Sequence, residues 1–230
     1  MNALSEASTT SNLRSKTLTW VLEIAHLQQF SVHSAQLACA YFDLFSLKWG
    51  NSDAAVVRVV AATCLMLASK FLEVHALTPD WVSEVCSRKV SAEEIQSLEL
   101  GILDQLDYNL DQPTAAEAIR LVLGLTAPDH DFTQLIAESD AYANVCYPSL
   151  KLALYGPVAI GLAAVCCALE QRSLYEFRDQ WLGLVLKKTA VKRGTVQELS
   201  SKIKVQLKDM YGSDAETECG SPGLERTLSV

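Results

Sequence analysis

The chain has 230 residues, of which half are hydrophobic and only 20% are charged, so it holds enough apolar material for one large core or two smaller ones. Its formal net charge of −8 argues against a dedicated nucleic-acid binder, because neutralising phosphates requires clustered Lys and Arg. The basic cluster that the sequence does contain is small and consists of Lys187, Lys188, Lys192 and Arg193.

The seven cysteines are odd in number, lie mostly in apolar helical runs and lack paired CxxC or Cys/His ligand spacing. They predict buried, reduced thiols and therefore an intracellular protein. The four histidines show no metal-ligand spacing either, so we expect neither a metal site nor a cofactor. Residues 1–12 lack the basic start and apolar stretch of a signal peptide, and we expect no secretory routing.

Hydrophobic periodicity and helix-start signals predict five helices in the first half of the chain. The third is apolar nearly all round, which is typical of a central helix about which others pack. The fourth opens at Thr78-Pro79, with Thr as the N-cap, and Ser91 with Glu94 forms a capping box for the fifth. The predicted helices cover residues 12–29, 32–47, 53–73, a short stretch from 79, and 91–108.

The same pattern begins again after a break at residues 111–114. Thr114 with Glu117 is another capping box, and the helix over 157–169 is almost wholly apolar. That helix is too short to span a bilayer, so we expect it to be buried and expect no membrane association. The helices of this second set are predicted over 114–125, 132–148, 157–169, 174–187 and 195–210, the last capped by Thr195 with Glu198. Two sets of about five helices, each around an apolar central helix, predict an all-α fold of two tandem units.

The helical pattern divides the chain into four parts: a short flexible arm over 1–12, a first unit over 13–110, a second over 111–212 and a disordered tail over 213–230. The tail is small and polar and has no helical period, so it cannot bury enough surface to fold. Its Ser221-Pro222 dipeptide is of the kind that proline-directed kinases modify. We predict that phosphorylation of Ser221 controls turnover, the alternative being an inert terminus.

Five segments resemble motifs of the cyclin family. LRSKTLTWVLEI at 13–24 is similar to the opening cyclin helix, close to MRAILVDWLVEV, and AYFDLF at 40–45 resembles the YxDRF motif. ATCLMLASKFLE at 62–73 is similar to the ASKFEE end of the third helix, the most diagnostic string of the family. LELGILDQLDYNLDQPT at 98–114 and PVAIGLAAVCCAL at 157–169 resemble the fifth helix with its exit and the central helix of the second cyclin fold. The resemblance covers the first unit in full and the second more weakly.

The resemblance implies roles for four polar residues. Arg14 and Asp43 would form an internal salt bridge that joins the first two helices, which is a structural role. Lys70 and Glu99, expected at the ends of the third and fifth helices, would hydrogen-bond the backbone of a kinase at its mobile regulatory helix. Without the resemblance, the ordinary interpretation of both is a solvated helix-end charge. The apolar positions implied to pack on the kinase helix are Phe71, Leu103, Tyr108 and Leu110.

Many cell-cycle cyclins carry a shallow apolar patch on the first helix that docks Arg-x-Leu substrate motifs. The residues that match this patch are Leu13, Trp20 and Glu23, and those that depart from it are Lys16, Thr17 and Arg58. Cationic and hydroxyl groups should hold a Leu side chain poorly, and Arg58 should repel the incoming Arg. We therefore expect the patch to be vestigial.

The resemblance implies a non-enzymatic regulatory subunit, nearest to compact G1 or D-like cyclins. It would form a heterodimer with a cyclin-dependent kinase, activate it by repositioning its regulatory helix, control cell-cycle progression and reside in the nucleus and cytoplasm. The sequence contains no nucleophile elbow, phosphate-cradling glycine loop or paired-carboxylate motif, so we expect no small-molecule substrate. Two alternatives stay open. One is a cyclin-fold scaffold or transcription-type cyclin that binds a partner without activating a cell-cycle kinase, and the other is a transcription-factor-IIB-like or pocket-like use of the duplicated fold.

Overall fold

The computed structural model describes residues 2–49, 53–126 and 131–211, and every regular element in these ranges is an α-helix. The predicted all-α fold of two successive helical sets, each around an apolar helix, is confirmed. The first set contains α1 (Asn2–Leu27), α2 (Val32–Trp49), α3 (Ala54–Leu72), α4 (Pro79–Val85) and α5 (Ala92–Gln105). The second contains α6 (Ala115–Thr126), α7 (Thr133–Asn144), α8 (Leu150–Ala153), α9 (Pro157–Gln171), α10 (Tyr175–Val185) and α11 (Arg193–Tyr211).

Helix α3 is the centre of the first set because it is apolar on nearly every face. Its N-cap is Asp53, whose carboxylate accepts a hydrogen bond from the Ala55 amide at 2.8 Å. Its middle is buried almost without interruption, and α1, α2, α4 and α5 pack around it. By length and composition α3 could cross a membrane, but 67% of its most apolar stretch is buried inside the protein. That burial is what a central core helix requires.

Helix α9 takes the same central place in the second set. Its side chains are buried from Ala159 to Leu169, against α6, α7, α10 and α11. Gly161 lets α6 approach closely, because a Cβ at this position would lie 3.2 Å from the backbone oxygen of Ala115 and 3.2 Å from Cβ of Ala118. An apolar helix with a small residue at the contact thus fixes the packing of α6 on α9.

Each helical set has an Arg–Asp ion pair that joins its first two helices. Arg14 of α1 binds Asp43 of α2, and Arg120 of α6 binds Asp140 of α7, with Nη2 2.8 Å from Oδ2. Burial raises the pKa of Asp140, and the Arg120 guanidinium offsets part of that shift. Sequence reasoning found the first pair through the cyclin motifs and missed the second, which has no motif to reveal it.

A buried glutamine connects the two sets. Gln36 of α2 is fully buried, and its side-chain oxygen accepts hydrogen bonds from the Ala116 amide at 2.8 Å and the Tyr147 hydroxyl at 3.0 Å. Its side-chain nitrogen donates to Oδ1 of Asn144 at 2.9 Å. Because a buried polar group is costly without partners, these bonds favour a single placement of α6 and α7 against α2.

The helix starts predicted from side-chain hydrogen bonds are present for α4 and α5. Thr78 Oγ1 accepts from the Trp81 amide at 3.2 Å, with Pro79 at the first helical position. Ser91 and Glu94 form the complete capping box, each side chain bonded to the backbone amide of the other. Such local bonds depend only on neighbouring residues, which is why the sequence predicts them well.

Other boundaries differ from the prediction. Helix α1 begins at Asn2, so the start near residue 12 is wrong, and residues assigned to a flexible arm continue the helix. This stretch contains neither Gly nor Pro, and polar composition alone does not end a helix. Helix α11 begins at Arg193, so Thr195 lies inside it and is not its N-cap. The predicted tail, with Ser221, lies outside the described residues.

The six cysteines of the described ranges are free and buried. Burial raises the pKa of Cys146, Cys166 and Cys167 to about 12, and it also raises the pKa of Cys39 and Cys64. Because the thiolate is the reactive form, we expect these thiols to react with Ellman's reagent at mildly alkaline pH only after unfolding in guanidinium. Fast reaction of more than one thiol in the native protein would contradict this expectation.

Candidate partner-binding surface

Lys70 and Glu99 form an ion pair at the surface of the first helical set. Nζ of Lys70 lies 2.7 Å from Oε1 and 2.8 Å from Oε2 of Glu99, which joins α3 to α5. Lys70 occupies the last turn of α3, where the helix dipole favours a cation. Glu99 lies in the middle of α5, so the expectation of a helix-end charge is wrong for this residue.

The two members of this pair differ in exposure. The side chain of Glu99 is 13% exposed and that of Lys70 is 38% exposed. An ammonium group has three N–H donors, of which Glu99 accepts two, and each carboxylate oxygen can accept a further hydrogen bond. The pair is therefore held in place from inside the protein while it keeps hydrogen-bonding capacity toward solvent.

Exposed apolar side chains lie in the same two helices as the pair. Phe71 is 45% exposed in the last turn of α3, and Leu100 is 59% exposed in α5. Leu103 and Leu110 are half-buried and pack against the first core. The sequence analysis did not identify Leu100. Its position directly after a carboxylate of the candidate site was the signal that could have indicated it.

Tyr108 lies in the turn that follows α5, where the backbone adopts a left-handed conformation. Tyr108 has a φ of 55° and Asp107 a φ of 51°, in the left-handed region that bulky residues rarely adopt. The Tyr108 amide donates to the Leu103 carbonyl at 2.9 Å and so closes the helix end. Its ring is exposed. The same left-handed conformation ends other helices of the protein, at Ser87, Arg88 and Ser173, so this turn is a common form of helix end that leaves Tyr108 at the surface.

Arg14 lies at the junction of three chain segments. Its Nε lies 2.7 Å from Oδ1 of Asp43, its Nη2 lies 2.6 Å from Oδ2, and its Nη1 donates to the Pro148 carbonyl at 3.1 Å. The guanidinium therefore links α1, α2 and the turn before α8 by a fork of charge-assisted hydrogen bonds. Only 11% of the Arg14 side chain is exposed, so this pair is part of the protein framework.

A cation–π contact lies among the residues predicted to form a vestigial docking patch on α1. Cζ of Arg58 lies 4.4 Å from the centroid of the Trp20 ring, within the range of a favourable contact. The exposed members of the patch are Lys16, Glu23 and Arg58, and the half-buried members are Leu13 and Trp20. Thr17, placed in the patch from the sequence, is buried and so offers little surface to a peptide. The departures that a docked peptide would meet are therefore Lys16 and Arg58.

We expect an Arg-x-Leu peptide to bind the unmodified protein at best weakly, because Arg58 occupies the Trp20 ring face and repels the Arg of the peptide. The double change Lys16→Ile with Arg58→Gln should uncover the ring and strengthen binding by roughly tenfold or more. Fluorescence polarisation with a labelled peptide measures the difference. Arg88→Gln with Lys89→Ile, which removes the same charges from an exposed turn, is the control. Tight binding by the unmodified protein would show that the patch is intact.

The described helices define a class of protein: an all-α chain of two tandem sets with a charged pair on an exposed, partly apolar surface. Residues 1–111 match the family model described as Cyclin, N-terminal domain. Among curated relatives, G1/S-specific cyclin-D2 of Rattus norvegicus is 28% identical over 163 residues, and G1/S-specific cyclin-D1 of Homo sapiens is 24% identical over 164 residues. The matches cover 69% and 71% of this chain and 56% and 55% of those relatives, so the chain corresponds to about half of their length.

Solved structures share the fold. A viral cyclin from herpesvirus saimiri superimposes with a TM-score of 0.74 at 16% identity, covering 88% of this chain and 87% of that one. A chain of the CAK complex of Chaetomium thermophilum bound to ATP-gamma-S gives a TM-score of 0.51 at 16% identity, covering 92% of this chain and 70% of that one. The first helical set, within residues 1–111, is an N-terminal cyclin domain, and the two sets together share the fold of a viral cyclin.

Proposed function

We propose that this protein binds a cyclin-dependent protein kinase as a heterodimer and activates it, and thereby controls cell-cycle progression. Its N-terminal cyclin domain supports this proposal, as do relatives named G1/S-specific cyclins. The observation that carries the proposal is the Lys70–Glu99 pair, which the fold positions on a surface with exposed apolar side chains.

The surface has the two properties that an orienting interface needs. Phe71, Leu100 and Tyr108 offer apolar area, which supplies affinity when water is excluded. Lys70 and Glu99 offer a donor and acceptors at a fixed spacing, which sets the orientation of the bound segment. A kinase helix that packs on the apolar side chains and hydrogen-bonds its terminal backbone groups to the pair would be held in one rotation.

The activation that we propose is conformational. A kinase without its partner keeps its regulatory helix turned away, so the Lys–Glu pair that orients the ATP phosphates is not formed. A surface that binds the active arrangement more tightly shifts the kinase population toward it by the difference in affinity. Moving a kinase from about 1% to 99% active requires a preference of about 10⁴-fold, or about 5.5 kcal/mol. Under this proposal the cyclin contributes binding free energy and no catalytic group.

Co-expression of this chain with each cyclin-dependent kinase of its organism, followed by affinity purification and a protein kinase assay, tests the proposal. The expected result is a one-to-one complex whose activity greatly exceeds that of the kinase alone. A stable complex without added activity would favour the scaffold instead. Absence of any complex, with DNA binding at low salt, would favour the transcription-factor-IIB-like use.

A further inference from the structure

A basic loop joins α10 to α11, outside the candidate kinase surface. Lys187, Lys188 and Lys192 lie between the two helices, Arg193 opens α11, and all four residues are exposed. None of the four takes part in an ion pair within the described ranges. The two nearest carboxylates along the chain are Asp179, bound to Arg178, and Glu198, bound to Lys202. The carboxylates nearest to the cluster in sequence are therefore already paired with other cations.

The position of these cations is unfavourable for the isolated chain. Lys192 and Arg193 lie at the N-terminus of α11, whose first turn has no acidic residue. The helix dipole is positive at that end, so it adds to the repulsion among the side chains. The net charge of −8 means that carboxylates outnumber Lys and Arg side chains, yet no carboxylate forms an ion pair with this cluster in the described ranges. A local conflict of this kind is expected where a sequence serves binding in preference to stability.

The loop has a partly buried apolar residue near each end. Leu186 and Val191 are partly buried against the second core, while Lys187, Lys188 and Ala190 are exposed. The hydroxyl of Thr189 is buried without a hydrogen-bond partner, the one side-chain polar atom of the described ranges in that condition. An unmade hydrogen bond weakens the present loop conformation. A partner can therefore reshape the segment between Leu186 and Val191 at low cost.

We propose that residues 187–193 are recognised by an acidic receptor groove, of the kind that carries proteins into the nucleus. A short exposed run of Lys and Arg suits a groove lined by carboxylates, because each cation can form a charge-assisted hydrogen bond there. Nucleic acid fits less well, because four cations release few counterions and the remaining protein surface repels phosphate. An anionic membrane would be repelled by the same net charge. The segment belongs to the second helical set, so its recognition does not use Lys70 or Glu99.

The experiment uses the full chain fused to a fluorescent reporter too large for passive entry into the nucleus, and it measures the nuclear-to-cytoplasmic ratio in living cells. Lys187→Ala with Lys188→Ala, and separately Lys192→Ala with Arg193→Ala, should each reduce the ratio to that of the reporter alone. Lys187→Arg with Lys188→Arg should keep the ratio at the wild-type value, because an acidic groove binds either kind of positively charged side chain. The matched control removes two exposed lysines elsewhere, Lys89→Ala with Lys151→Ala, and should not change the ratio.

Four outcomes would overturn the proposal. Two come from the double variants: an unchanged ratio in both basic variants, or an equal loss in the control. The third is loss of import in Glu99→Ala, and the fourth is preferential binding of the purified protein to duplex DNA or anionic vesicles over a purified acidic import adaptor. The Glu99 variant tests whether the kinase carries the protein inward. Melting curves accompany each double variant. Removing Lys192 and Arg193 from the positive end of α11 should leave the melting temperature equal to or above that of the wild type.

Discussion

Glu99→Ala is expected to weaken the kinase complex by more than tenfold while it changes the melting temperature of the protein little. The variant leaves Lys70 unpaired, but that side chain is 38% exposed and water can solvate its ammonium group. Exposed ion pairs of this kind contribute about 0–1 kcal/mol to stability. At an interface, truncating one member of a hydrogen-bonded charge pair costs about 2–5 kcal/mol, which is more than tenfold in affinity. Titration calorimetry with the purified kinase, beside a thermal melt, measures both effects.

Glu99→Ala is a cleaner test than Lys70→Ala, because the two residues differ in burial. Removing Lys70 would leave the carboxylate of Glu99, only 13% exposed, without its partner, and a loss of stability would then accompany any loss of binding. Glu198→Ala is the matched control for Glu99→Ala. It removes the carboxylate of another Lys–Glu pair, the one with Lys202, from an exposed position of α11 in the second helical set. We expect normal complex formation from this control.

The charge exchange Lys70→Glu with Glu99→Lys separates a structural pair from an orienting one. An exchanged pair can still form an ion pair between α3 and α5, so stability should return to near the wild-type value. A kinase segment positioned by a donor at residue 70 and acceptors at residue 99 would instead meet the opposite arrangement. Restored complex formation in the exchanged variant, or normal complex formation by Glu99→Ala, would contradict the proposed contact surface.

Local signals in the sequence predict the parts of this fold that local forces determine. The apolar circumference of α3 and the hydrogen-bonded capping box at Ser91 and Glu94 depend on residues within one helix, and both are found as predicted. The start of α1 at Asn2 is not predicted, although residues 2–12 contain neither Gly nor Pro to break a helix. Propensity alone is a weak guide at such a boundary.

The parts that sequence reasoning missed depend on contacts between distant segments. Gln36 and Asn144 are more than a hundred positions apart and meet only because α2 packs on the second set. The sequence places Thr17 in the docking patch on α1, yet the rotation of that helix buries the Thr17 side chain. The cation–π contact of Arg58 with Trp20 likewise requires α1 and α3 to lie side by side. These are tertiary effects, which no helical period encodes.

The Lys70–Glu99 pair could be predicted only in part from the sequence. The cyclin motifs identified both residues, and their sequence separation gave no reason to expect a direct bond. The structure joins them at 2.7 Å, so a partner meets one preformed unit and not two independent charges. Preformed polar groups lose less freedom on binding than mobile ones, and this lowers the cost of docking a kinase helix.

Arg14→Ala is expected to have the largest effect on stability, lowering the free energy of unfolding by about 3 kcal/mol, the lower end of the range for breaking a buried ion pair. The lower end applies because the Asp43 side chain is 33% exposed and water can reach it in part. The Pro148 carbonyl would lose its donor at the same time. Urea denaturation followed by circular dichroism measures the change.

The double change Arg14→Met with Asp43→Leu should be less destabilising than Arg14→Ala, because it removes both charges together and refills the space with apolar atoms. Such non-additivity is the signature of a paired, partly buried interaction, since two independent surface charges would give effects that add. Arg14→Lys should recover only part of the loss, because a single ammonium cannot reproduce the fork that binds both Asp43 oxygens while donating to Pro148. An unfolding curve of Arg14→Ala that coincides with the wild-type curve would remove this pair from the framework, and the joining of α1 to α2 would then rest on the apolar contacts of Leu18 and Val21.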